Sequence, residues 1–120
     1  MILTKKFASA QKYGLILGIR GSGQNTSYRL YHEEEILIGR DGSQVQIVVK
    51  HRAVSRKHCG IRFDEKEQCY YVCDYSKNGT KVSGHGRLPK EQWIGVSRDS
   101  VLLLGNEECS FLLALRCEKN

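Results

Sequence analysis

The chain has 120 residues, 40% hydrophobic and 27% charged, with 19 lysines and arginines against 13 aspartates and glutamates for a formal net charge of +6. That length suits one domain with a sizeable core, and no window of 18 apolar residues is present to span a membrane as a helix. The charge points to an anionic partner, which leaves nucleic acid, acidic lipid and phosphorylated protein open.

The chain reads as short strands separated by turn chemistry, without a helical period sustained over ten residues. Tyr13 to Ile19 is a dense apolar run that ends in Gly21-Ser22-Gly23-Gln24-Asn25, a turn by composition. Ser27 to His32 alternates, and Ile36 to Ile38 stops at Gly39-Arg40-Asp41-Gly42. Val45 to Val49 follows, then a basic loop from Lys50 to Lys57, a strand from His58 to Phe63 and the charged turn Asp64-Glu65-Lys66-Glu67. Cys69 to Asp74 and the short Thr80 to Val82 come next, the latter ending at Gly84-His85-Gly86. Leu88 to Gly95 carries the single proline and the single tryptophan and is expected to hold a helical turn. Val101 to Leu104, closed by Gly105-Asn106, and Ser110 to Cys117 supply the last strands. About ten strands with turns every 8–12 residues indicate an all-β sandwich or barrel. One domain over 1–120 is expected, with its core at approximately 12–116 and a frayed Glu118-Lys119-Asn120 tail, as a module of a larger protein.

Five cysteines, an odd number, argue against a complete disulfide framework. Cys69 and Cys73 share a strand face but lie ~13 Å apart along it, too far for a bridge or a shared metal. Cys59 falls in phase with Ile61 and Phe63, and Cys109 and Cys117 flank an apolar run. All five read as small buried hydrophobes of a reducing compartment. No Cys-x-x-Cys pair supports zinc, so neither metal nor cofactor is expected. The apolar start of the chain is broken by Lys5 and Lys6, which argues against a secretory leader. An intracellular, cytoplasmic setting is expected, with the nucleus also open; oligomeric state is unreadable.

Three strings fall where apolar strands stop. Arg40 follows Gly39 and offers a planar fork of donors suited to a phosphate dianion; alone, it reads as a solvated strand-end residue, and its weight comes from the other two strings. Ser55 sits among Lys50, His51, Arg52, Arg56 and Lys57, where a hydroxyl and neighbouring amides can accept a phosphate into a loop concavity. Considered by itself, that cluster is a solvated basic loop. His58 and Cys59 are adjacent in a strand and point to opposite faces, so they form no nucleophile–base dyad. His58 is expected to hold the preceding loop by hydrogen bonds. Asn78-Gly79 is a common hairpin turn, while the Asn78 carboxamide also has the donor and acceptor to pair with an extended peptide. Lys77 would add a cation at the same rim.

Gly39-Arg40, Ser55-Arg56-x-His58 and Asn78-Gly79-Thr80, in this order and spacing on an all-β background, resemble the forkhead-associated (FHA) domain over approximately Ile36 to Leu115. The resemblance implies a β-sandwich of about eleven strands whose loops at one end bind phosphothreonine in partner proteins. It implies that Arg40 and Ser55 bind phosphate, Arg56 contacts phosphate or peptide, and Asn78 contacts the peptide main chain. Gly39, His58, Gly79 and Thr80 then shape the site. Lys77 departs from the family, which commonly has a small hydroxyl residue there; its contact with phosphate is left open.

Three other readings compete. A nucleic-acid binder draws on the charge and on Tyr70, Tyr71, Tyr75 and Trp93, but the basic residues concentrate on one loop and not along a stripe, so no nucleic acid is expected. An enzyme finds no acid–base pair or Ser/His/Asp set, and Gly21-Ser22-Gly23 lacks the Gly-Lys-Ser/Thr continuation of a phosphate-binding loop. An FHA-like fold making phosphate-independent protein contacts is the third.

Overall fold

The computed structural model describes residues 11–118. Eleven strands run in chain order: β1 (Gln11–Arg20), β2 (Ser27–Leu30), β3 (Glu35–Gly39), β4 (Ile47–Val48), β5 (Cys59–Asp64), β6 (Cys69–Asp74), β7 (Thr80–Val82), β8 (Gly86–Arg87), β9 (Trp93–Ser97), β10 (Val101–Leu104) and β11 (Ser110–Glu118). They form two sheets, β2-β1-β11-β10-β7-β8 and β4-β3-β5-β6-β9. The β3–β4 pair is parallel and the other strand pairs are antiparallel. The fold is thus a β-sandwich, and no helix forms among the described residues.

The core lies between the sheets and follows strand alternation. In β5 the side chains of Cys59, Ile61 and Phe63 are buried while Arg62 is exposed; in β7 Thr80 and Val82 turn inward and Lys81 outward. Ile16, Leu30, Ile38, Tyr70, Leu102, Leu104, Phe111 and Leu113 are among the most deeply buried of the rest. Tyr70 of β6 also keys the sheets together: its hydroxyl donates to the Ala114 carbonyl of β11 at 2.5 Å. Burial without that bond would leave a polar hydroxyl stranded.

The structure departs from expectation in five places. Glu118, expected in a frayed tail, closes β11 opposite Gln11, while Lys119 and Asn120 lie outside the described residues. Leu88 to Gly95 contains no helical turn. Leu88 N–H donates to Thr80 O, a bridge joins Lys90 to Asp74, and Glu91 N–H donates to Asp74 O. These bonds draw the chain extended from β8 in one sheet to β9 in the other. Asn78-Gly79 is not a hairpin turn, because β6 and β7 belong to different sheets and the segment is a crossover. Val45 to Val49 pairs only at Ile47–Val48, although Val45, Ile47 and Val49 keep the buried alternation. All five cysteines are free, and Cys59, Cys73 and Cys109 are buried as expected, but Cys69 is half-buried and Cys117 is exposed.

Candidate functional site

The three strings meet at one end of the sandwich, and the backbone of Ala53-Val54-Ser55 is what joins them. Arg40 leaves β3 with its amide donating to Ser55 O at 2.9 Å and its Nε donating to Val54 O at 2.9 Å. From the other side, Asn78 Nδ2 donates to Ala53 O at 3.0 Å, and the Lys77 amide donates to Ser55 Oγ at 3.0 Å. One short stretch of main chain therefore fixes the guanidinium, the hydroxyl and the carboxamide relative to one another.

Each group retains capacity for a ligand. Arg40 uses Nε and keeps the N–H groups of both Nη atoms. Ser55 accepts through its oxygen, so its hydroxyl proton remains for an anion. Asn78 keeps one N–H and its carbonyl oxygen, the pair an extended backbone needs. Lys77 contributes its amide to Ser55 and exposes its ammonium.

Gly39 makes the close approach possible. A Cβ there would lie 2.1 Å from the Arg56 carbonyl oxygen, a backbone atom that cannot swing away. Asp41, next to Arg40, does not compete for the guanidinium. Its carboxylate accepts from the Gln44 side chain and from the Ser43 amide and hydroxyl. Those bonds hold its pKa down at about 2.

Beneath the loops lies a buried frame. His58 is fully enclosed; its Nδ1 accepts the Ser55 amide at 3.0 Å and its Nε2 faces Gly79 O at 2.9 Å. An amide and a carbonyl on opposite nitrogens require the neutral ring with its proton on Nε2. Burial lowers the His58 pKa, with the Gly79 bond opposing the shift. Gly79 O accepts a second bond from the Gly105 amide at 2.9 Å, and the +98° φ of Gly79 suits a residue without a side chain.

Sequence reasoning missed Asp74 and Ser76. Asp74 Oδ1 accepts from the Ser76 amide, the Ser76 hydroxyl and the Thr80 hydroxyl, at 3.0, 2.6 and 2.8 Å. Ser76 Oγ in turn accepts the Gly79 amide at 2.7 Å. Lys90 Nζ donates to Ser76 O. The signal for this frame was the Asp-x-Ser spacing, a pattern in which short polar side chains bind the backbone just beyond them. The basic loop is also less free than its composition implies. His51 pairs with Glu108 at 2.7 Å, Lys50 Nζ donates to Arg40 O, and Lys57 lies 4.0 Å from the Tyr75 ring centroid. Arg52 and Arg56 stay exposed.

A sequence model of the family described as FHA domain matches residues 36–105. In structure, the chain is similar to the FHA domain of the CT664 protein from Chlamydia trachomatis, at 24% identity and a TM-score of 0.72 over 85% of this chain and 96% of that one. It is similar to the FHA domain of an Arabidopsis thaliana hypothetical protein, at 22% identity and a TM-score of 0.74 over 87% and 86% of the two chains. A third likeness is to the MEK1 FHA domain in complex with a HOP1 phosphothreonine peptide, at 18% identity and a TM-score of 0.70 over 86% and 96%.

Proposed function

The chain belongs to the FHA family, and from that premise we propose that it is a phosphothreonine-dependent protein-binding module that performs no catalysis. The observation that carries this reading is the convergence of the free Arg40 Nη groups, the Ser55 hydroxyl and the Asn78 carboxamide around the Ala53–Ser55 backbone. A phosphate dianion seats on Arg40 by charge-assisted hydrogen bonds, with the Ser55 hydroxyl alongside. Arg56 and Lys77, both exposed at the rim, supply further positive charge. Asn78 then pairs with the main chain of the same peptide. The preference for threonine over serine and the signalling role rest on the family relationship, and an intracellular setting rests on the unpaired cysteines as those of a reducing compartment.

The adjacent His58 and Cys59 support a role without chemistry. Both His58 nitrogens are engaged, and burial pushes the Cys59 thiol pKa well up, so neither is a ready base or nucleophile.

The test is titration calorimetry with one peptide in phosphothreonine, phosphoserine and unphosphorylated forms, against the native protein and Arg40→Ala. Binding is expected to require phosphothreonine and to weaken by ~2–5 kcal/mol in Arg40→Ala, the usual cost of removing one partner of a buried charge pair. Equal binding of the unphosphorylated peptide would overturn the proposal in favour of phosphate-independent contacts.

A further inference from the structure

Arg87 lies beside the site yet takes no part in the frame described above. It ends β8, and its guanidinium packs on Gly79, one residue from Asn78. A Cβ on Gly79 would lie 2.7 Å from Nε, 2.9 Å from Cζ and 3.2 Å from Nη2 of Arg87. Three such similar distances put that point over the guanidinium plane, so the glycine supports the face of the group and leaves its N–H edge unobstructed.

That edge meets no anion among the described residues. Arg87 stands directly opposite Lys81 in the β7–β8 register, and both side chains are exposed. Like charges directly opposite on neighbouring strands are destabilising. Exposed Lys77 adds a third cation on the same stretch. The ion pairs among the described residues, His32–Asp64, His51–Glu108 and Arg62–Glu35, include none of the three. Glu91, a nearby carboxylate in sequence, joins none of those pairs either. A local conflict without compensation among the described residues marks a place where function sets the residue choice.

We propose that Arg87 is a specificity-determining residue that reads an aspartate or glutamate of the partner peptide on the Asn78 side of the phosphothreonine. The inference rests on the phosphothreonine reading and deepens it. A guanidinium already supported on its face loses little freedom on pairing, and its fork matches a carboxylate. Lys77 and Lys81 strengthen the local field without fixing geometry.

The experiment is a positional scan of one phosphothreonine peptide, placing aspartate or its neutral isostere asparagine at each flanking position in turn. The readout is the Asp-to-Asn affinity ratio for the native protein, Arg87→Gln and Arg56→Gln. One position is expected to favour aspartate by about tenfold in the native protein. That ratio should fall to near one in Arg87→Gln and persist in Arg56→Gln. A ratio is insensitive to general weakening of the variant, which a merely structural role would produce. Phosphate-dependent binding with no acidic preference, or with a preference that survives Arg87→Gln, overturns the inference and leaves the phosphothreonine reading intact. Failure of every phosphopeptide to bind overturns both.

Discussion

The Ser55 amide donates to Nδ1 of His58 at 3.0 Å, which ties the hydroxyl of the candidate phosphate seat to a histidine that must stay neutral. A proton on Nδ1 would face that N–H head-on. Burial already lowers the His58 pKa below its ordinary value of 6.5. The unfolded chain therefore binds the proton more readily than the folded one. The stability that His58 contributes is present above about pH 6.5 and is lost as pH falls from there towards the lower folded value. Thermal unfolding of the unliganded protein between pH 7.5 and 5 is expected to show a falling Tm, with a weaker fall in His58→Gln. Equal slopes in the two proteins would refute the assignment.

Peptide affinity should fall over a similar range for a second reason, since the second phosphate pKa is about 6. A phosphonate analogue with a higher second pKa separates the two causes. Its affinity is expected to decline from a higher pH, while the unliganded Tm profile stays where it was. Identical affinity profiles for the two peptides would show that protein titration, not phosphate charge, controls binding.

Ser76→Ala is expected to destabilise the domain by about 1–3 kcal/mol, because it strands the buried Gly79 amide and removes a donor from Asp74. Urea unfolding measures this. An unchanged midpoint would mean that Thr80 and the Ser76 amide suffice to hold Asp74.

Gly39→Ala is expected to cost about 2–4 kcal/mol, since the new Cβ meets the Arg56 carbonyl at 2.1 Å and the β3 end or the basic loop must move. Tm and the amide spectrum report it. A native Tm would show that the loop yields without penalty.

Native-state alkylation followed by mass spectrometry should label the exposed Cys117 first and the half-buried Cys69 next, with Cys59, Cys73 and Cys109 protected until unfolding. The Cys59 thiol is doubly protected, because burial removes access and raises its pKa. Early labelling of Cys59 would show that β5 opens locally.

Much of this architecture was legible because β strands with one buried face write their alternation into the chain, as Cys59, Ile61 and Phe63 do around Arg62. The β8 strand, Gly86–Arg87, was not legible, since two residues carry no period. Trp93 and Ile94, both partly buried, break the alternation of β9, and Pro89 nearby suggested a turn. The Asn78-Gly79 pair shows a different limit. A turn signal states that the chain bends, but which sheet receives the next strand depends on distant partners such as Leu104, opposite Thr80. The three motif strings could be recognised because each keeps its residues side by side in the chain, whether they end exposed, as Arg40 and Asn78 do, or buried, as His58 and Thr80 do. Asp74 and Ser76 resembled a polar strand end until the crossover folded back over them.

Gly79 O accepts from His58, which precedes β5, and from Gly105, which follows β10. Those strands belong to different sheets, so the loop end acts as a clasp across the sandwich. A ligand seated on it resists parting of the two layers, and its binding energy becomes resistance to global melting. At one hundred times its dissociation constant, a peptide adds about 2.7 kcal/mol to unfolding. Melting temperature can therefore rank unlabelled peptides from a phosphoproteome, with Arg40→Ala as the blank, before any partner has been identified.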